Sequence, residues 1–146
     1  MAPSTSPPSL FEQIGGEPRL RSIIGHFVAR LMQDPMIGFF FQRVSRQRLE
    51  DKEYEHAAAH LGGPVEYTGR PIDEAHARHA ILGGHFLRRQ RILEQTLRDY
   101  DVPEAIIRHW LAEMERLRPE VTRDESRHCD PTKARALPID ARGGRA

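Results

Sequence analysis

The stretch LGGPVEYTGRPIDEAHARHAILGGHF, Leu61 to Phe86, decides how this chain is to be read. Its opening Gly62, Gly63 and Pro64 end a helical pattern, because glycine leaves a helix at little steric cost and proline cannot continue one. Its far end places His76, His79 and His85 within ten positions. Neutral imidazole is the commonest metal ligand among side chains, yet histidines on a polar helix face are also ordinary surface residues. The choice between the two depends on what surrounds the stretch.

Upstream the pattern is helical. Ser9 with Glu12 forms a capping-box start for a short helix that ends at Gly15 and Gly16. Pro18 opens the next helix, whose Leu20, Ile23, Ile24, Phe27, Leu31 and Met32 share one stripe until Asp34 and Pro35 stop it. The corner MIGFFFQR, Met36 to Arg43, carries Phe39, Phe40 and Phe41 in a row, so at least one must face a core or a ligand. Ser45 caps a third helix running to Leu61. Downstream, Asp73 to Ala80 reads as a short helix broken at Gly83 and Gly84, and His85 to Tyr100 as a longer one with Phe86, Leu93 and Leu97 inward. Asp101 as cap with Pro103 in the first turn begins the last helix, where Ile106, Ile107, Trp110, Leu111, Met114 and Leu117 make the broadest apolar face. No segment alternates as a strand does, so the fold class is all α.

Composition sets the outer limits. The 146 residues and 38% hydrophobic content suit one domain with one modest core. The expected organisation is a disordered Pro- and Ser-rich leader over 1–8, a helical domain over 9–123 and a disordered polar tail over 124–146. With 22 basic and 21 acidic side chains the formal charge is +1, which gives no broad electrostatic reason for nucleic acid or an anionic membrane as partner. Cys129 is the one cysteine and can form no internal disulfide. The start lacks a basic region followed by an apolar run, and no apolar run approaches membrane-spanning length, so the expectation is a soluble, cytoplasmic protein.

The third helix has two faces that want burial. Leu49, Lys52, Glu53, His56 and His60 share one side, while Tyr54, Ala57, Ala58 and Leu61 share another. By pattern alone Lys52 and Glu53 can be solvated. His56 and His60 stand at i and i+4, but EHAAAH lacks the glutamate between the histidines that a metalloprotease helix needs. These residues leave open a haem-free helical protein binding zinc or nickel through His56, His60, His76 and His79, and equally a metal-free interaction module.

Taken together, LFEQIGG before a long helix, then PMIGFFF, LGGPVEYTGRPIDEAH and a closing VPEAII resemble the truncated haemoglobin family, specifically its first group. The pairs Gly15, Gly16 and Gly62, Gly63 match that family's loop markers in order and spacing. The resemblance implies a two-over-two globin-like helical sandwich holding haem b, with diatomic gases as ligands and an electron-donating reductase as a further partner. It makes His76 the proximal iron ligand, with His79 the alternative register and His85 a polar or propionate-side residue. It places Phe41 as the aromatic wedge at the corner, Phe86 against the porphyrin, and Leu49, Ile72, Ile81 and Met114 on the macrocycle, although each of these also fits a plain core. Tyr67, with Arg70 or Arg78, would meet the propionates, since phenolic and basic groups hydrogen-bond carboxylates.

The chain departs from the family on the other side of the iron. Where the family often carries a tyrosine that hydrogen-bonds bound dioxygen, Val28 stands here, beside Phe27. The neighbouring distal positions are Leu49, Lys52 and Glu53. Lys52 matches a position from which some relatives close the iron, and an amine ligates only when deprotonated. Since adjacent residues lie about 100° apart on a helix, Lys52 and Glu53 cannot both face the iron. Glu53 is expected at the pocket edge or on a basic partner, because an isolated carboxylate in an apolar pocket is costly. Oxidation of nitric oxide and peroxide reduction are the enzymatic chemistries the resemblance suggests.

Overall fold

The structure, a computed structural model, describes residues 6–69 and 81–122. Outside them lie most of the expected leader, the expected helix Asp73 to Ala80 with Arg70, Ile72, His76, Arg78 and His79, and the expected tail with Cys129. Five α-helices are described: α1 (Leu10–Gln13), α2 (Gly16–Gln33), α3 (Arg46–His60), α4 (Gly83–Asp99) and α5 (Glu104–Val121). A 3-10 helix at Gly38–Phe41 makes the corner between α2 and α3, and the described residues contain no strand.

The start signals act as expected in two places. The Ser9 hydroxyl accepts from the Glu12 N–H at 3.1 Å while the Glu12 carboxylate accepts from the Ser9 N–H at 2.9 Å, closing the capping box of α1. Ser45 Oγ accepts from the Arg48 N–H at 3.3 Å and caps α3. Two starts differ. Pro18 lies within the first turn of α2, which already begins at Gly16. The last helix is capped at Pro103, whose carbonyl accepts from the Ile106 and Ile107 N–H groups at 2.9 and 3.1 Å. Asp101 instead sits in the left-handed region at φ 54 and completes the turn after α4, a conformation that aspartate tolerates better than most residues.

Helix α2 packs on α3 and α4, and α5 packs on α4 and α3, so two helix pairs cross in a two-over-two sandwich. The core lies where they meet: Leu20, Ile23, Ile24, Phe27, Val28 and Leu31 from α2 against Tyr54, Ala57 and Ala58 from α3, Leu93 and Leu97 from α4, and Ile106, Ile107 and Trp110 from α5. The alanines on α3 leave room for close approach to α2, while its other side faces away from this core. Gly62 closes α3 at φ +84, and a Cβ on Gly63 would fall 2.7 Å from the Phe11 ring. The Phe11 N–H donates to the Leu61 carbonyl at 2.9 Å, so the second glycine pair lets α1 seat on the end of α3.

Asp34 does more than end α2. Its side chain is buried, and Oδ2 accepts from the Met36 and Ile37 N–H groups at 2.9 and 3.1 Å. Its Oδ1 accepts from Arg88 of α4 through Nε at 2.9 Å and Nη2 at 2.6 Å. These bonds set the chain for the phenylalanine corner, where a Cβ on Gly38 would meet the Met32 carbonyl oxygen at 2.7 Å. The Arg88 guanidinium first, and then the two backbone N–H groups, hold the Asp34 carboxyl below its ordinary value against the opposing effect of burial. Because the folded-state value is lowered, this stabilisation is present at neutral pH and is lost as pH falls below the usual aspartate range. Asp34→Asn is expected to cost about 2 kcal/mol at neutral pH and to flatten the acid limb of stability, read by urea unfolding across pH.

Candidate functional site

The second face of α3 opens on a cavity of about 300 Å³. Leu49, Lys52, Glu53 and His56 line it from α3, while Phe40, Phe41 and Ile37 enter from the corner. Phe86 and Arg89 come from α4, Met114, Leu117 and Val121 from α5, and Tyr67, Gly69 and Ile81 from the chain between α3 and α4. Of the three phenylalanines at the corner, Phe40 and Phe41 face the cavity and Phe39 is 54% exposed. Thus Phe41, Leu49, Tyr67, Ile81, Phe86 and Met114 are brought together on one cavity, and Lys52 stands on its edge. His76 and Ile72 lie outside the described residues.

Each polar group has an identifiable setting. Lys52 Nζ donates to Thr68 Oγ1 at 2.8 Å and approaches the Glu55 carboxylate at 3.4 Å. Thr68 in turn donates to Glu55 Oε1 through its hydroxyl at 2.6 Å and its N–H at 2.8 Å. These Thr68 bonds, more than Lys52, hold the Glu55 carboxyl below its ordinary value. The lysine therefore clamps the chain after α3 onto the helix. Glu53 meets a basic partner, Arg89, whose Nη2 donates to its Oε1 at 2.9 Å.

Three histidines form a chain leading away from the cavity. The His56 ring lies edge-on to Tyr67 with centroids 5.7 Å apart and 5.5 Å from His60. His60 lies 5.5 Å from both His109 and Trp110. Neither ring nitrogen of His60 finds a hydrogen-bond partner among the described residues. Burial first, and then the neighbouring His56 and His109, push the His60 imidazole down to about 3; burial also lowers His56. Burial thus favours the neutral form of both rings. Among the described residues no group of three or more histidine, cysteine, aspartate or glutamate side chains is placed to hold a metal ion.

Arg89 was not visible as a site residue in the linear pattern, and His85, read as a polar or propionate-side residue, also takes a capping role. His85 Nδ1 accepts from the Leu82 N–H at 3.0 Å, capping α4 with an imidazole, and its ring packs edge-on to Phe40 at 5.0 Å. Arg89 reads as surface charge until its spacing is noticed: Phe86, Arg89, Leu93 and Leu97 follow a 3–4–4 rhythm that puts it on the inward stripe. Val28, which stands where the family often has tyrosine, is fully buried in the core and is not among the residues lining the cavity.

The residues present fit a flat, largely apolar macrocycle bearing carboxylates. Phenylalanine rings and aliphatic side chains form the walls, while Arg48 and Tyr67 supply cationic and phenolic groups suited to propionates.

Comparison with known proteins agrees with this architecture. A group 1 truncated haemoglobin of Mycolicibacterium paratuberculosis is 32% identical over 120 residues, spanning 82% of this chain and 88% of that protein. One from Tetrahymena pyriformis is 26% identical over 101 residues, spanning 69% and 84%. Among solved structures, the Fe(III) form of a Q50E mutant of the Tetrahymena pyriformis truncated haemoglobin superposes with a TM-score of 0.72 at 25% identity, covering 79% of this chain and 98% of that one. The Synechococcus 2/2 haemoglobin, solved in the cyanomet state with covalently attached haem, shares the fold at a TM-score of 0.74 and 20% identity, covering 78% and 98%. The bacterial-like globin profile matches residues 9–123, and with these relatives it shows that the chain belongs to the globins, as a truncated haemoglobin of the first group.

Proposed function

We propose that this truncated globin holds haem b through His76 and binds small ligands on the side of the cavity that α3 lines. Haem binding itself follows from family membership. When bound, haem supplies an iron centre with an open coordination position and one-electron redox chemistry. The observation that carries the proposal is the convergence of Phe41, Leu49, Ile81, Phe86 and Met114, from the corner and three helices and the chain before α4, on one cavity with basic groups along it. Tyr67, with Arg70 or Arg78, would orient carboxylates at the rim, and the phenylalanines would exclude water from the interior.

The ligand side favours a redox role, with electrons from a reductase, over simple dioxygen transport. Val28 offers no hydroxyl to a bound gas, and it is sealed in the core. Of the α3 residues that line the cavity, Arg48, Lys52 and Glu53 are charged and Leu49 is apolar, which leaves the His56 imidazole as the one neutral polar group on that helix to meet a bound gas. Diatomic gases remain the ligand class, and of the two reaction types reduction of peroxide suits this ligand side better than oxidation of nitric oxide, which, like oxygen carriage, depends on stabilised dioxygen. The single cysteine and the absence, among the described residues, of a helix long and apolar enough to cross a membrane suit a cytoplasmic setting. Absorption spectra of the purified protein in ferric, ferrous and carbon monoxide forms test the core of this proposal. A colourless protein that binds zinc would overturn it in favour of the histidine-rich metal-binding alternative.

Lys52 decides how the ligand side is closed. Its ammonium is held by Thr68 and Glu55, so reaching the iron requires giving up both contacts and a proton. A ferric protein that becomes six-coordinate and low-spin as pH rises, and reverts as pH falls, is therefore expected if the lysine swings inward. Lys52→Ala should abolish the transition in a spectrophotometric pH titration. Persistence of the same low-spin form in that variant assigns closure to His56, one turn further along the cavity face.

A further inference from the structure

Arg89 brings a fixed positive charge to the inner wall of the cavity. Its guanidinium carbon lies 5.0 Å from the centroid of the Phe27 ring. Phe27 is only 1% exposed, so the guanidinium covering its ring stands at the core side of the cavity and not at its mouth. Glu53 holds it from across the space between α3 and α4 at 2.9 Å, and the two side chains are 21% and 24% exposed. An arginine carries five N–H donors, and the contact with Glu53 engages only one nitrogen. Among the described residues no other hydrogen bond draws on the rest.

The charge around it is unbalanced. Among the described residues lining the cavity, Arg48, Lys52 and Arg89 are cations and Glu53 is the one carboxylate. Arg48 is exposed and Lys52 is drawn off by Glu55 and Thr68, which leaves Arg89, stacked on the buried Phe27 ring, as the cation directed at the interior. Guanidinium keeps its proton throughout the working pH range, and a partly desolvated charge acts on a nearby ligand more strongly than one in water. We infer that Arg89 is the specificity-determining residue of the ligand side, selecting small inorganic monoanions over neutral diatomic gases, with the Glu53 carboxylate as its counterweight. The inference rests on the haem site proposed above.

In this arrangement an incoming anion accepts hydrogen bonds from the guanidinium N–H groups that Glu53 leaves free. Glu53 opposes it in two ways, by neutralising the arginine and by repelling the anion directly. A purely structural ion pair between α3 and α4 has a different signature: breaking it from either side changes stability and leaves the ligand preference alone. The two variants Arg89→Met and Glu53→Gln should therefore move anion affinity in opposite directions, which loss of a structural contact cannot do.

The test uses the full-length, haem-loaded ferric protein, titrated with azide and with nitrite at fixed ionic strength and followed by absorption. Carbon monoxide binding to the ferrous form serves as the neutral reference. Arg89→Met is expected to weaken both anions roughly ten-fold, Arg89→Lys to recover part of that loss, and Glu53→Gln to tighten both several-fold. Carbon monoxide affinity should stay within about two-fold of wild type throughout. If Arg89→Met does not fold, the opposed changes in Arg89→Lys and Glu53→Gln carry the same comparison. Anion affinities that stay within about two-fold in all foldable variants, or that move in parallel with carbon monoxide, overturn the role of Arg89 while leaving the haem site standing. A wild-type protein that takes up no haem overturns both.

Discussion

Replacing His76 by alanine is expected to strip haem from the protein or weaken its retention by roughly a hundred-fold or more, the effect expected when a cofactor loses its one protein bond to the metal. The apolar walls provided by Phe41, Leu49, Phe86 and Met114 would still favour the macrocycle, so the variant should retain some loosely held haem with an altered spectrum. Addition of free imidazole should restore part of the wild-type spectrum by replacing the missing ring nitrogen. His79→Ala should leave the spectrum largely intact. His85→Ala should do so too, since His85 Nδ1 is engaged in capping α4 through the Leu82 N–H, and its loss should fray that helix start without releasing the cofactor. Haem titration of the apoprotein and the ferric absorption spectrum measure all three. Equal loss from His79→Ala would move the iron ligand to the alternative register.

The second large effect concerns acid. His60 is held down to about 3 by burial and by its histidine neighbours, whereas an unfolded chain protonates histidine near its ordinary value of 6.5. Between those limits the unfolded state binds a proton that the folded state refuses, so stability is lost progressively as pH drops through this window. Well above 6.5 the ring is neutral in both states and contributes no pH dependence. The loss should reach on the order of 3 kcal/mol at the acid end, after allowance for the part of the side chain that meets solvent. His56, lowered by burial as well, adds in the same direction.

His60→Leu should accordingly flatten the decline between pH 6.5 and the carboxylate range while leaving stability at neutral pH equal or higher, because it also removes two buried nitrogens that find no hydrogen-bond partner among the described residues. Urea unfolding at a series of pH values compares the two proteins. An unchanged slope in the variant would place the acid sensitivity elsewhere, with Asp34 and its Arg88 partner the next group to test.

Much of the fold was legible in the linear pattern. The stripe Leu20, Ile23, Ile24, Phe27 and Leu31 specified α2 because apolar residues spaced by three and four must share one face, and all five are buried. Caps at Ser9 and Ser45 were readable because their hydrogen bonds close within one turn of chain. The last helix start was misplaced onto Asp101 for a related reason: aspartate suits both a helix cap and a left-handed turn, and the choice depends on how α4 ends. The two faces of α3 were also legible, but not what each would meet.

The amino-acid sequence by itself determined the helical class, the end of α2 at Asp34 and Pro35 and of α3 before Gly62 and Gly63, and, through ordered motifs such as LGGPVEYTGRPIDEAH, the kinship with truncated haemoglobins. Only the tertiary structure decided the partners of charges on different helices. Glu53 and Arg89 lie 36 positions apart, and Asp34 and Arg88 lie 54 apart. Helical periodicity says which way a side chain points from its own axis and nothing about which helix stands opposite. That depends on how α2, α3, α4 and α5 cross, and the crossing is set by packing of side chains far apart in sequence. For the same reason Lys52 looked free to face the iron on its own helix, and only the fold brought Thr68 back across it and joined the lysine to the chain beyond α3.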